Sequence, residues 1–158
     1  MNQPEDIFVS PQTLARMREE LEQLTGPGRE EMSVRLLRAR ELGDLKENAE
    51  YHAAKDAQGL MEARIRQLEY TIDRAVVREV SESADEVGPG LIVTVKDQYG
   101  TEDYLIADSM EEKVEGASTV TPSSPMGRAL AGKKLGEKAT VEAPRGSFSV
   151  EVVGLRPL

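Results

Sequence analysis

The residues whose types and spacing best suggest chemistry are Asp44 and Glu47, two carboxylates three positions apart. At the start of a helix, this spacing lets both carboxylates converge on one point. Hard cations such as Mg²⁺ take oxygen ligands, and two carboxylates with several waters form a normal partial shell. The same spacing is also that of a capping box, with Asp44 as N-cap and Glu47 reaching back to its amide. From spacing alone the capping interpretation is favoured, because acidic residues are common at helix starts.

The composition excludes the commonest catalytic groups. Among 158 residues there is no Cys and a single His, His52, which rules out a disulfide scaffold, a Cys-based zinc site and multi-His metal sites. The chain carries 20 Lys and Arg against 29 Asp and Glu, a net charge of −9. Broad binding to nucleic acid is disfavoured, because phosphate neutralisation needs an excess of basic residues. The charge is compatible with docking on a basic protein surface or with carboxylates that bind metal.

The N-terminus and the hydropathy pattern indicate no targeting or membrane segment. Residues 1–6 are acidic rather than basic, and no apolar run approaches the length that spans a bilayer. We therefore expect a cytoplasmic protein with no membrane partner. We also expect a monomer.

The first half of the chain predicts two long helices. Ser10 is a hydroxyl N-cap and Pro11 suits the first helical position. We expect a kink or short break at Gly26-Pro27-Gly28 and an end to this first arm near Leu42-Gly43. The apolar seam of the arm consists of Leu14, Met17, Leu21 and Leu24, then Met32, Leu36 and Ala39. Its three-and-four spacing is that of a heptad repeat.

The second helix is predicted over Leu45–Arg78, about 50 Å long at ~1.5 Å per residue. Its heptad seam consists of Ala54, Ala57, Met61, Ile65, Leu68, Ile72 and Ala75. Two such helices joined by a tight turn form an antiparallel coiled-coil hairpin, in which each seam buries the other. The acidic residues then lie at the hairpin tip, near residues 43–50, and the hairpin projects into solvent or into a partner.

The second half predicts a small α+β domain. A polar linker over Ser81–Glu86 separates it from the hairpin, so we divide the chain into domains 1–80 and 81–158. A short helix begins at Ser124-Pro125 and is capped near Gly132. The expected strands are Leu91–Val95, Tyr104–Ala107, Ala139–Glu142 and Ser147–Val153, with a hairpin turn at Tyr99-Gly100 and one buried face on alternating residues from Phe148 to Val152. The predicted fold class is therefore α+β.

Two long motifs resemble those of a known family. Residues 43–55 read GDLKENAEYHAAK and residues 124–136 read SPMGRALAGKKLG. In this order they are similar to the two signatures of the bacterial GreA/GreB transcript-cleavage factors. The resemblance extends from about Ser10 to the C-terminus, and the modest positive charge along the arm is closer to GreA than to GreB. It implies an N-terminal coiled coil followed by a C-terminal domain with an FKBP-like fold.

The resemblance also implies a function. Members of this family enter the secondary channel of RNA polymerase and stimulate the polymerase's own Mg²⁺-dependent cleavage of backtracked RNA, which rescues arrested complexes. The matching catalytic and metal-binding positions are Asp44 and Glu47, which would help to retain a second Mg²⁺ only within the complex. The implied partners are RNA polymerase and the 3′ end of the nascent RNA, and the chain is not an enzyme by itself.

Other residues near the tip are weaker candidates. Arg35, Arg38 and Arg40 lie in the region where the family has a basic patch for RNA, although a solvated helix face explains them better. Tyr51 could stack on a base or pack under the tip. Gly26-Pro27-Gly28 departs from the family pattern and puts the straightness of the arm in question, and Asp108–Glu112 follows the family's acidic loop only loosely.

Three alternative functions stay open. The first is a paralogue that occupies the same channel but inhibits cleavage, which the intact cleavage-type tip motif disfavours. The second is a prolyl isomerase, suggested only by the implied C-terminal fold and weakened by the few aromatic residues of that half, namely Tyr99, Tyr104 and Phe148. The third is a plain coiled-coil adaptor, which would need no acidic residues at its tip.

Overall fold

The computed structural model of the chain describes residues 5–44, 47–78 and 85–158. These residues form two compact units, a helical unit of residues 15–74 and a sheet unit that joins the N-terminal segment up to Leu14 to residues 75–158. The domain boundary predicted between residues 80 and 81, like most of the predicted linker, falls in residues 79–84, outside the described residues. It therefore stays a prediction.

The predicted helices of the first half are present. They are α1 (Pro11–Gln23), a π-helical turn (Leu24–Gly28), α2 (Arg29–Arg40) and α3 (Ala49–Arg74). The start of α1 is confirmed, because the Thr13 backbone N–H donates to Ser10 Oγ at 3.2 Å. None of the helices in the described ranges has the length and apolar character that crossing a bilayer requires.

Ion pairs between the two arms show that they run antiparallel. Glu20 on the first arm pairs with Arg64 at 2.8 Å, and Arg29, farther along that arm, pairs with Glu62, which lies nearer the turn. The predicted seam accounts for the buried apolar positions Met17, Leu36, Ala39, Ala54, Ile65 and Leu68. The hairpin prediction is therefore confirmed, with Thr71 as an additional buried residue that the apolar pattern did not include.

The kink or short break predicted at Gly26-Pro27-Gly28 takes the form of a π-helical turn, which interrupts the α-helix over Leu24–Gly28 while the chain stays helical. The flanking residues Gln23 and Arg29 both have right-handed helical dihedrals, and the Arg29 N–H reaches back to the carbonyl of Leu24, five residues earlier. Proline has no N–H for the α-helical ladder. One wide turn accommodates it without ending the helix.

The second helix is shorter than predicted at both described ends. It begins at Ala49 and ends at Arg74, about 39 Å at ~1.5 Å per residue. After Arg74 the chain forms β2 (Ala75–Val77), which pairs in parallel with β1 (Ile7–Val9). The helix ends here because the backbone of residues 75–77 bonds to a distant strand, which helical periodicity cannot reveal.

The second half forms a five-stranded mixed sheet. Its elements are β3 (Leu91–Asp97), β4 (Gly100–Ile106), β5 (Ser118–Val120), α4 (Pro125–Leu130), β6 (Lys138–Ala143) and β7 (Gly146–Pro157). The spatial order is β5-β4-β3-β7-β6, and all neighbouring strands are antiparallel except β4 and β5. The main core consists of Val87, Val93, Val95, Ile106, Leu130, Ala139, Val141, Val150 and Val152.

The local predictions for this sheet are confirmed, with two differences. Gly100 has φ +136° at the end of the β3–β4 turn, and Ser124 Oγ accepts from the Gly127 N–H at 3.0 Å to cap α4. Strand β5 was not predicted. Along β7 the alternation holds at the buried residues Val150 and Val152, but Phe148 is 44% exposed.

Candidate functional site at the hairpin turn

The turn between α2 and α3 starts with a tight chain reversal. The Leu42 N–H donates to the carbonyl of Ala39 at 3.2 Å, just after the last residue of α2. Gly43 follows with φ +132°, a left-handed value that side chains disfavour. The Glu47 N–H then donates to the backbone carbonyl of Asp44 at 3.3 Å, so these two residues belong to one further turn.

The N-cap of α3 is Asn48. Its side-chain Oδ1 accepts from the Tyr51 N–H at 3.0 Å, and its backbone carbonyl accepts from the His52 N–H at 3.1 Å. These two bonds define an N-cap. The capping-box interpretation of Asp44 and Glu47 is therefore wrong, because the helix begins only after both residues.

Asn48 also bonds to the other arm. Its side-chain Nδ2 donates to the backbone carbonyl of Ala39, in the last turn of α2. Both residues are buried, with Asn48 9% and Ala39 5% exposed. Sequence reasoning missed this role, although asparagine is among the favoured N-cap residues and could have been weighed against Asp44.

Asp44 and Glu47 are both exposed. Neither carboxylate is the N-cap of α3, because Asn48 makes that bond. Across the described part of the chain, no group of three or more acidic or histidine side chains could hold a metal. Two carboxylates fit part of a Mg²⁺ shell, and the remaining ligands would have to come from water or from a partner.

Two of the weaker candidates lie against each other. The Arg40 guanidinium is 5.7 Å from the ring centroid of Tyr51, within the range of a cation–π contact. The Tyr51 ring also meets His52 edge to face, with centroids 6.0 Å apart. Tyr51 is half-buried, so it packs beside the turn while part of its surface stays accessible.

The other two arginines line an open groove. Arg35 and Arg38 border a volume of about 670 Å³ on α2, together with the apolar side chains of Val34 and Leu42. Its lining also includes the three acidic residues Glu30, Glu31 and Glu50. The mixture of charges fits the solvated-face interpretation of these arginines better than a basic patch.

Comparison with protein families identifies the chain. Residues 7–77 match the N-terminal model of the GreA/GreB transcription elongation factors, and residues 82–157 match the C-terminal model of the same factors. The chain belongs to the GreA/GreB family. The hairpin and the sheet unit therefore have the elements expected of Gre factors.

Full-length relatives agree with this assignment. The transcription elongation factor GreA of Streptomyces avermitilis is 39% identical, over 95% of this chain and 93% of the relative. GreA of Rhodospirillum rubrum is 40% identical, over 96% of this chain and 98% of the relative.

Among solved structures, GreA factor homolog 1 (Gfh1) of Thermus thermophilus is 24% identical, with a TM-score of 0.45 over 96% of this chain and 99% of that chain.

Proposed function

We propose that this chain stimulates cleavage of backtracked nascent RNA by RNA polymerase and so rescues arrested elongation complexes. In this proposal the hairpin enters the secondary channel of the polymerase and brings Asp44 and Glu47 to its catalytic centre. The chain has no catalytic activity alone, since the polymerase supplies the reaction centre. Membership in the GreA/GreB family of elongation factors supports the polymerase as partner.

The observation that carries the proposal is the exposure of Asp44 and Glu47 together in the turn of an antiparallel hairpin. A plain coiled-coil adaptor has no need for a pair of acidic residues there. The turn presents them without using either as the N-cap of α3, because Asn48 makes that bond. The N-cap bond of α3 therefore falls to Asn48 and not to either carboxylate.

The residues at the tip fit a role in holding a shared Mg²⁺. When bound, this ion polarises the scissile phosphodiester and lowers the pKa of an attacking water. The part of this chain is to supply oxygen ligands from Asp44 and Glu47, while the α2–α3 hairpin keeps both on one short turn. In this proposal Arg40 and Tyr51, whose guanidinium and ring centroid lie 5.7 Å apart, contact the 3′ end of the RNA.

Two alternatives are weaker. An inhibitory paralogue would occupy the same channel without promoting cleavage, and only an assay of cleavage separates it from the proposed function. A prolyl isomerase site would need an enclosed aromatic lining, whereas Tyr99 is 88% exposed and Phe148 44% exposed in the sheet unit. These two rings therefore form no enclosed lining.

The test is a stalled polymerase complex with labelled, backtracked RNA at limiting Mg²⁺. Addition of the wild-type chain should release short 3′ fragments rapidly. Asp44→Asn and Glu47→Gln should still compete for polymerase but lose most of the cleavage, and excess Mg²⁺ should restore part of it. Asp56→Asn is the matched control, because Asp56 is exposed on α3 away from the turn.

The possible outcomes separate the functions. Binding to polymerase without any stimulation by the wild-type chain would favour the inhibitory alternative. Normal cleavage by both tip variants would show that the assignment of Asp44 and Glu47 is wrong.

A further inference from the structure

We propose that Asn48 is a positioning residue that clamps the tip loop and so keeps Asp44 and Glu47 in a productive arrangement. The inference rests on the proposed function for its catalytic consequence, but the clamp itself can be observed without any activity. The inference starts from the two polar atoms of the Asn48 side-chain amide. The Asn48 amide group donates to α2 through Nδ2 and accepts from α3 through Oδ1.

The clamp closes a defined loop. The Asn48 Nδ2–Ala39 O bond joins residues nine positions apart, and both Asp44 and Glu47 lie between them. The Ala39 carbonyl also accepts from the Leu42 N–H at 3.2 Å, so both of its lone pairs are used. One end of the loop is thereby attached to α2 and the other to the first turn of α3.

The chemistry of the position selects asparagine. Serine and aspartate can accept from the Tyr51 N–H as N-caps. An ionised aspartate has no hydrogen to donate to Ala39, and the serine hydroxyl ends one bond short of the position of the asparagine amide nitrogen. An aspartate would also place a carboxylate oxygen against the Ala39 carbonyl oxygen, which is repulsive. A primary amide has a donor and an acceptor on one planar group, and glutamine would displace that group by one methylene.

Burial makes the clamp effective. Asn48 is 9% and Ala39 5% exposed, so water competes little for the bond that joins them. Asp44 and Glu47 are exposed and depend on the loop for their placement. Loss of the clamp should spread the two carboxylates over more orientations and reduce the share that can bind a shared ion, because catalytic groups must be held in reacting geometry.

The decisive variants are Asn48→Ser and Asn48→Asp, each of which keeps an N-cap acceptor and removes the amide donor to Ala39. In the backtracked-RNA assay, the maximal cleavage rate should fall about tenfold, the effect of losing one buried hydrogen bond. The factor concentration that gives half-maximal rate should stay within about twofold of wild type, and the Mg²⁺ requirement should rise. Ser33→Ala is the matched control, since it removes a local hydrogen bond of α2 to the Arg29 carbonyl away from the tip.

A second measurement observes the loop directly. Amide hydrogen exchange at residues 41–44 and 47 should become faster in Asn48→Ser, while exchange in the middle of α3 and the helicity by circular dichroism stay unchanged. Unchanged exchange in the loop would overturn the clamp. Faster exchange with normal maximal rate and normal Mg²⁺ requirement would overturn the positioning role. If the wild-type chain stimulates no cleavage but the loop exchange still rises in the variant, the clamp stands and the proposed function fails.

Discussion

The carboxylate of Glu112 accepts hydrogen bonds from both the backbone N–H and the hydroxyl of Ser10, 102 residues earlier in the chain. The Thr13 hydroxyl donates to the same carboxylate at 2.9 Å. Glu112 is 4% exposed, and it lies at the N-terminus of α1, where the helix dipole favours negative charge. The start of the first helix is therefore held within the sheet unit by a buried acid.

Replacement of Glu112 should destabilise the sheet unit. Glu112→Ala leaves the donors of Ser10 and Thr13 without their acceptor, at a cost of about 2–3 kcal/mol in the free energy of unfolding. Urea unfolding measures this loss, and hydrogen exchange shows whether it is located in the sheet unit. Glu115→Ala is the control, because Glu115 is exposed and its loss should cost less than about 0.5 kcal/mol. Equal stability of the two variants would contradict the role of Glu112.

Gly127 should not tolerate a side chain. A Cβ at this position would lie 2.0 Å from the backbone carbonyl oxygen of Thr121 and 2.9 Å from its carbon. Backbone atoms cannot rotate away, so Gly127→Ala should lower the free energy of unfolding by about 3 kcal/mol or more.

The matched control is Gly59→Ala, in the interior of α3. Beyond the adjoining residues and the backbone of α3 itself, a Cβ there meets nothing within 4 Å, so this change should raise stability by about 1 kcal/mol through helix propensity. Thermal unfolding by circular dichroism compares the two, and opposite signs are expected. A stable Gly127→Ala variant would show that α4 can move away from Thr121.

Asp44 should contribute little to helix stability. An N-cap replaced by alanine costs about 1 kcal/mol, but the N-cap of α3 is Asn48. Asp44→Ala should therefore change the free energy of unfolding by less than about 0.5 kcal/mol and leave the helicity intact, whereas Asn48→Ala should show the full cost. If Asp44→Ala instead lost more stability than Asn48→Ala, Asp44 would be the cap. The loss of cleavage in Asp44 variants would then come from a damaged helix start.

The Tyr104 phenol should lose its proton at a higher pH than an ordinary tyrosine. Burial first, and then the hydrogen bond to Glu102, raise the pKa of the Tyr104 phenol to about 12. Because the folded state holds this proton more tightly than the unfolded chain, the contribution to stability should be lost as pH rises from about 10 towards 12. Ultraviolet absorbance of tyrosinate follows the titration. Glu102→Gln should lower the pKa, and Glu142→Gln, an exposed acid on β6, should leave it unchanged.

Local signals in the sequence predicted much of this fold. Ser10-Pro11 and Ser124-Pro125 mark helix starts because a hydroxyl cap and a proline act within one turn. The heptad seam predicted the hairpin because the apolar face of each arm can be buried by the other. The paired strands β1 and β2 were missed, since each has three residues and its partner lies far away along the chain.

For the candidate site, too, the sequence predicted some features and the tertiary structure decided others. Sequence alone placed Asp44 and Glu47 at the hairpin tip, because the predicted first arm ends near Leu42-Gly43 and the second follows directly. It assigned the cap of the next helix to Asp44 and did not consider Asn48. Only the tertiary structure showed that Asn48 is the cap, and that the Ala39 carbonyl of the opposite arm lies where the Asn48 amide can reach it. Contacts between distant segments select among local options of similar energy, and residue types alone do not reveal those contacts.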